Sequence, residues 1–264
     1  MREQLRVLKH TAIGAFAEYR AFYTWQSWLV GWLLRLLMQA SFYALVGRLL
    51  GSQQQVEYLV VGNAVYIVAM EACIVVLATV SERRAGTLPL MVAAPATHLT
   101  VYLGRGVHYL TSGLLTSSIA LFTLPPLFGI SLPMPQALLA LPMIVLIGLA
   151  AYGYGAAVSC LVLHKPGRRW TAMNLSYLVL LAFAGVNVPV DFWPGPVQAV
   201  AQVLPLTHGL TAVRTLLDGG PAAEIAAQLA LEAAVGAGWF VVAALGFAQV
   251  VRVGRARGTL ELAA

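Results

Sequence analysis

Residues 57–80 read E-Y-L-V-V-G-N-A-V-Y-I-V-A-M-E-A-C-I-V-V-L-A-T-V. This run is long enough to cross a bilayer, because a spanning helix needs roughly 20 mostly apolar residues. Two basic residues, Arg83 and Arg84, follow almost at once. An apolar segment that ends on basic residues is typical of a membrane span whose end faces the cytoplasm.

The composition of the whole chain also indicates a protein that lies in a lipid bilayer. It is 60% hydrophobic and 10% charged, whereas soluble domains are about 45–50% apolar and about 25% charged. We therefore predict an all-α polytopic membrane protein with six transmembrane helices in one domain over residues 27–251. The predicted spans are Ser27–Leu50, Glu57–Val80, Gly106–Ile130, Ala137–Leu163, Ala172–Val190 and Gln228–Val251.

The basic residues predict the orientation. Thirteen of the sixteen lysines and arginines fall in the N-terminal segment, the second loop, the fourth loop and the tail at residues 252–264. Because basic loops stay in the cytoplasm, we expect both termini there and the protein in the cell (inner or plasma) membrane. The start of the chain lacks the pattern of a cleaved signal peptide. The net charge of +6 reflects this topology and gives no indication of nucleic-acid binding.

The segment before the first span predicts an amphipathic interfacial helix over residues 1–26. Apolar side chains recur there at helical spacing, with charges between them. They are Leu5, Leu8, Ala12, Phe16 and Tyr19. An aromatic cluster overlaps its end and follows it, at Tyr19, Phe22, Tyr23, Trp25, Trp28 and Trp32. An interfacial belt is its ordinary interpretation, and a lateral gate for an amphipathic substrate is the alternative.

The connection between the fifth and sixth spans, at about residues 191–220, is broken by prolines. Its apolar pieces, Val197–Leu204 and His208–Leu217, are too short to span. We predict short outer helices that either re-enter the outer leaflet or lie over the helix ends. The candidate residues of an outer gate are Pro205, His208 and Arg214.

The sequence lacks the motifs of several kinds of enzyme. It contains no GxxxxGK[ST], HExxH, CxxC or GxSxG pattern. Its two cysteines, Cys73 and Cys160, lie in separate spans and are interpreted as buried thiols. We therefore predict no catalytic residue, no metal site and no ATPase motif of its own.

The second loop carries a more specific pattern, S-E-R-R-A-G-T-L-P-L-M-V-A-A-P at residues 81–95. It resembles the E-R-x-x-G-T-L-x-x-L-x-x-x-P signature of ABC-2 type permeases, the membrane subunits of one class of ATP-binding-cassette exporter. Residues 204–220, with L-P-L-T-H and a later arginine, are similar to a second segment of that family. His208 departs from it, since an aromatic residue is common there.

The second loop also has a physical interpretation of its own. Thr87 can cap a short helix that exposes Leu88, Met91 and Val92, and Pro95 ends it. The resemblance implies that this is a coupling helix seated on a nucleotide-binding subunit, with an interfacial helix resting on lipid as the alternative. The implied contact residues are Glu82, Gly86, Thr87, Leu88, Leu90, Met91, Val92 and Pro95. Lys165, Arg168 and Arg169 of the fourth loop form a second candidate contact.

The resemblance implies a permease that moves an amphipathic or hydrophobic substrate, such as a drug, antibiotic or lipid, outward. Its expected partners are cytoplasmic ATPase subunits, a second copy of itself or a homologous permease, and membrane lipids. No cofactor is expected on this chain, since ATP and Mg would bind the partner subunit. A lipid-linked polysaccharide exporter, a polytopic membrane enzyme, and a channel or secondary transporter are the alternatives.

Two charges within the spans are predicted to pair. Arg35 lies at a depth of roughly 12 Å in the first span and Glu71 at roughly 13 to 14 Å in the second, from the helical rise. A charge inside a bilayer usually finds a partner. The alternative is that Arg35 extends to the headgroups and Glu71 is protonated. The other mid-span polar residues, Asn174, Ser176 and Asn187, form no recognisable catalytic site with them.

Overall fold

A computed structural model describes residues 2–22, 24–49, 51–77, 98–162 and 166–257 of the chain. Every regular element in these ranges is helical. The helices, in chain order, are α1 (Arg2–Phe22), α2 (Trp25–Leu49), α3 (Gln53–Leu77), α4 (His98–Leu127), α5 (Gln136–Val162), α6 (Arg169–Phe183), α7 (Gly195–Gln202), α8 (Thr207–Leu217) and α9 (Ala222–Arg257).

Five of these helices, α2 to α5 and α9, are long and apolar enough to cross a membrane. The described helices thus support five of the six predicted spans. Helix α6 has 15 residues, or about 22 Å, against a hydrocarbon core of about 30 Å. The predicted span Ala172–Val190 is therefore not one continuous helix. It ends at Phe183 because Gly185 follows with φ of +79°, a conformation that favours glycine and ends helices.

Helix α3 lies at the centre of the bundle. Its most apolar stretch is 94% buried, whereas the same measure is 22% for α2 and 17% for α9. Hydroxyl groups join neighbouring helices to it: Ser117 donates to the carbonyl oxygen of Ala64 at 2.8 Å, and Tyr66 donates to that of Tyr177 at 3.0 Å. Interhelical hydrogen bonds of this kind stabilise helix packing in membranes. Helices α2 and α9 therefore form the outer faces of the single chain.

Helix α1 packs against the first turns of α4. Ala15 is 2% exposed, while Arg6 and Lys9 are exposed on the opposite side. A Cβ atom on Gly104 would lie 1.9 Å from Thr11 Oγ1, so this contact requires glycine. The structure thus has a helix at Arg2–Phe22, within the segment 1–26 for which the sequence predicted an amphipathic helix.

Helix α4 begins at His98, eight residues before the predicted start at Gly106. No proline lies between His98 and Arg105 to prevent the helix from extending over these residues.

Helix α2 contains a π-helical turn at Trp28–Leu33. The Trp28 indole donates to Ser112 Oγ on α4 at 3.2 Å, which joins this turn to the bundle. Short π-helical segments occur frequently at functional sites. The turn places Trp28 against α4, so this tryptophan is more than an interfacial anchor.

Candidate functional site

Arg214 of α8 holds together three segments at the end of the bundle where α3 begins. Its Nη1 donates to the carbonyl oxygen of Gly185 at 2.8 Å. Its Nη2 donates to the carbonyl oxygens of Tyr58 at 3.0 Å and Val186 at 3.2 Å. The guanidinium carbon also lies 3.5 Å from the centroid of the Tyr58 ring, a cation–π contact.

This arrangement explains how the chain can end α6 inside the protein. Buried carbonyl groups without partners are costly, and those of Gly185 and Val186 lie just beyond the last turn of α6. Arg214 donates to both from α8, and the Tyr58 hydroxyl of α3 donates to the Gly185 carbonyl as well, at 2.6 Å. Gly62 makes room for the guanidinium, since a Cβ there would lie 2.6 Å from Nη2.

Glu232 of α9 holds the start of α8. Its side chain is fully buried. Its Oε1 accepts from the backbone N–H of Leu206 at 2.8 Å and its Oε2 from that of Gly209 at 2.9 Å. The first N–H groups of a helix have no partner within the helix, and a carboxylate there is also favoured by the helix dipole. Leu206 has φ of +83°, and the two hydrogen bonds offset this strained conformation.

The sequence analysis missed Glu232. A signal was present, because an acidic residue inside the predicted last span is costly and is a candidate functional site. Its partners, however, are backbone groups on another helix, and residue types do not reveal them.

His208 and Pro205, predicted as outer gate residues with Arg214, lie at the same turn as Leu206. His208 Nδ1 lies 2.8 Å from Gln228 Oε1, and its Nε2 lies 3.1 Å from the carbonyl oxygen of Gln202. The ring therefore joins α7, α8 and α9. Pro205 is buried in the turn between α7 and α8. The structure brings the three residues onto one short segment, but Arg214 contacts a different set of helices.

The turn between α7 and α8 also contacts the middle of α9. The Trp239 indole donates to the carbonyl oxygen of Val203 at 2.8 Å. Along α9, Glu232 and Trp239 are seven residues apart, or about 10 Å. Helices α7 and α8 thus form a hairpin whose turn is held at two levels of α9.

The predicted charge pair is not joined directly. Although the structure describes both residues, it shows no ion pair between Arg35 and Glu71. Arg35 is exposed, and its guanidinium carbon lies 4.8 Å from the Trp32 ring centroid. Glu71 is 1% exposed and accepts a hydrogen bond from the Thr116 hydroxyl. The pairing stays a prediction.

Glu71 borders a cavity of about 210 Å³ between α2, α3, α4 and α6. Three aromatic side chains, Trp32, Tyr109 and Trp170, share its lining with apolar residues that include Met173. Trp32 Nε1 is buried and lies beside the Glu71 carboxyl. Trp170 is 54% exposed, so the cavity reaches the surface beside it.

The remaining polar candidates lie in separate hydrogen-bond networks. Asn187 accepts from Asn63 at 2.8 Å, Asn174 accepts from Tyr177, and Ser176 donates to the carbonyl oxygen of Met173 at 2.7 Å. In the part of the chain that the structure describes, they do not converge on one catalytic arrangement.

The predicted coupling helix lies outside the described residues, as does Lys165. The structure therefore places none of Glu82, Gly86, Thr87, Leu88, Leu90, Met91, Val92 and Pro95. Of the second predicted contact, Arg168 ends a single 3-10 turn and Arg169 begins α6.

The spanning helices, the central α3 and the buried polar contacts define a multi-pass helical membrane protein. The chain matches the family model described as ABC-2 family transporter protein over residues 39–245. This match covers most of the chain, so the protein belongs to that family, and the family predicted from the sequence is confirmed. Members of the family are generally non-catalytic membrane subunits that associate with ABC ATPase subunits. No curated protein and no solved structure matches the chain.

Proposed function

We propose that this chain is the transmembrane permease subunit of an ABC exporter that moves an amphipathic or hydrophobic substrate outward. The family match over residues 39–245 is the observation that carries this proposal. ATP is hydrolysed on a separate nucleotide-binding subunit, and two permease chains form the pathway. The exposed faces of α2 and α9 are available for the second permease chain and for lipid.

The proposed topology has six crossings and cytoplasmic termini. Helix α6, the bend after Phe183 and the α7–α8 hairpin together form the fifth crossing and its outer end. The contacts of Arg214 and Glu232 support this assignment, because they satisfy non-helical backbone at a depth where water does not. In the resting state this hairpin closes the outer end of the pathway.

Single-cysteine labelling tests the topology. Cysteines placed at exposed positions from Val197 to Leu217 are expected to react with a membrane-impermeant maleimide added outside, and not with reagent added at the cytoplasmic side. Free reaction of all of them from the cytoplasm would show that the six-crossing arrangement is wrong.

Transport itself is tested in inside-out vesicles that contain the permease and its ATPase subunit. We expect ATP-dependent accumulation of a fluorescent lipophilic drug or a labelled lipid, and none with an ATPase variant that cannot hydrolyse ATP. Accumulation of a lipid-linked oligosaccharide, but not of drugs or simple lipids, would favour the polysaccharide alternative. ATP-independent movement would contradict the proposal.

A further inference from the structure

The cavity between α2, α3, α4 and α6 is larger than the voids of an ordinary protein core, and a buried carboxyl group borders it. Its volume of about 210 Å³ exceeds that of an engineered apolar cavity of about 150 Å³ that binds benzene. Natural protein interiors hold few voids larger than a water molecule. The space is therefore sufficient for a bicyclic aromatic group.

The chemistry of the lining indicates what kind of ligand fits. Glu71 provides a buried carboxyl, and Trp32, Tyr109 and Trp170 provide aromatic surfaces. A carboxyl group surrounded by aromatic rings favours an organic cation, through charge–charge attraction and cation–π contacts. Trp32 Nε1 is buried beside the Glu71 carboxyl, so it adds a donor that an ether or carbonyl oxygen of a bound ligand can share.

The nearby arginine does not fill the cavity. Arg35 is exposed and is absent from the lining, and its guanidinium rests on the Trp32 ring. Trp32 thus contacts a cation outside the cavity while its ring also lines the cavity. The surface opening beside Trp170, which is 54% exposed, offers an entry route from the lipid.

We propose that this cavity binds the ammonium end of an amphipathic aromatic amine, with Glu71 as its counter-charge and Trp32 Nε1 as a hydrogen-bond donor to a neighbouring oxygen. This assignment deepens the proposed export function by naming the substrate class. The ligand enters beside Trp170 from the lipid. In this proposal the aromatic cluster acts as a lateral gate, which is the alternative to the interfacial belt in the interpretation of the sequence.

Binding to the full-length permease in lipid nanodiscs tests the proposal without ATP or the ATPase subunit. The probes are three molecules of the same shape: naphthoxyethylamine, naphthoxyethanol and naphthoxyacetate. Calorimetric titrations are corrected with empty nanodiscs. We expect the amine to bind roughly ten- to a hundredfold more tightly than the alcohol, which is the range for a charge-assisted hydrogen bond.

Two variants and one control locate the effect. Glu71→Gln keeps the side-chain shape and is expected to remove the preference for the amine. Trp32→Phe is expected to weaken the amine and the alcohol by a similar factor, since both carry the ether oxygen. Glu57→Gln makes the same change at the other end of α3 and is expected to leave the preference unchanged.

The proposal is overturned if the wild-type protein binds amine and alcohol equally, binds the carboxylate more tightly, or binds none of the three. It is also overturned if Glu71→Gln keeps the preference. If Glu71→Gln does not fold, the proposal is still tested by two measurements: the order of the three probe affinities on the wild-type protein, and the loss of affinity in Trp32→Phe. If the amine does not bind preferentially, the binding proposal fails, while ATP-driven export is still tested separately in vesicles. If the amine binds but no export occurs, only the proposed export function is contradicted.

Discussion

Removing the Glu232 side chain should release the α7–α8 hairpin from α9. In Glu232→Ala the backbone N–H groups of Leu206 and Gly209 lose their acceptors. A buried donor left without its partner costs about 1–3 kcal/mol, so the two together cost roughly 2–6 kcal/mol. Partial relaxation of the turn lowers the effect, and we take about 3 kcal/mol as the expected cost of the variant.

The loss should appear as local opening of the hairpin. Ala212 of α8 is fully buried, and Ala212→Cys is a small change that places a thiol there. The native Cys73 and Cys160 are buried as well, so background labelling should be low. When opening and closing are fast, the labelling rate follows the population of the open form. A cost of about 3 kcal/mol predicts labelling faster by roughly a hundredfold.

Two further variants make this test specific. Glu224→Ala removes an exposed acidic side chain from the same helix and should change the rate by less than about threefold, since such surface changes are within about 0.5 kcal/mol. Glu232→Gln keeps one acceptor oxygen and should give an intermediate rate. The reasoning fails if Glu232→Ala labels no faster than Glu224→Ala.

Three further predictions concern other positions. Leu88→Asp should weaken ATPase-subunit binding or substrate-stimulated hydrolysis while membrane insertion stays normal, and unchanged hydrolysis would contradict the coupling assignment. Arg214→Met should reduce the folded yield more than Arg214→Lys does, because Met removes a donor from each of three carbonyl groups; equal yields by fluorescence-detected size exclusion would argue against that role. For Arg35→Met, Glu71→Gln and the double variant, we expect non-additive effects on folded yield, with the double variant less affected than the worse single one; strict additivity would rule the pair out.

Features that depend on neighbouring residues in the sequence were predicted, and features that depend on residues distant in the sequence were not. Long apolar runs such as α3 and α5 need no knowledge of neighbours, and their predicted and observed bounds agree within a few residues. Helix α6 was misjudged because the apolar sequence continues through Val186 and Val188 after the helix has ended at Phe183. What allows that early end is Arg214, 29 residues from Gly185 in the chain.

The candidate sites show the same limit. Arg214 and His208 were named from a local pattern, but the pattern did not show that Arg214 contacts α3 while His208 contacts α9. For Glu71, the helical rise gave its depth in the second span but not its contact with another helix. The Thr116 hydroxyl of α4 donates to Glu71, while the exposed Arg35 side chain lies on the Trp32 ring.

The two buried carboxyl groups of the spanning helices differ in what satisfies them. Both are costly in a membrane, and both are almost completely buried. Glu232 uses both oxygens on backbone N–H groups of one turn, so its environment is complete without a ligand and its role is to hold the hairpin. Glu71 accepts from the Thr116 hydroxyl and borders a cavity of about 210 Å³ lined by three aromatic side chains. Glu71 therefore has open space beside it that a ligand can occupy, whereas Glu232 has none, and for this reason we propose that Glu71 binds substrate and that Glu232 keeps the outer end closed.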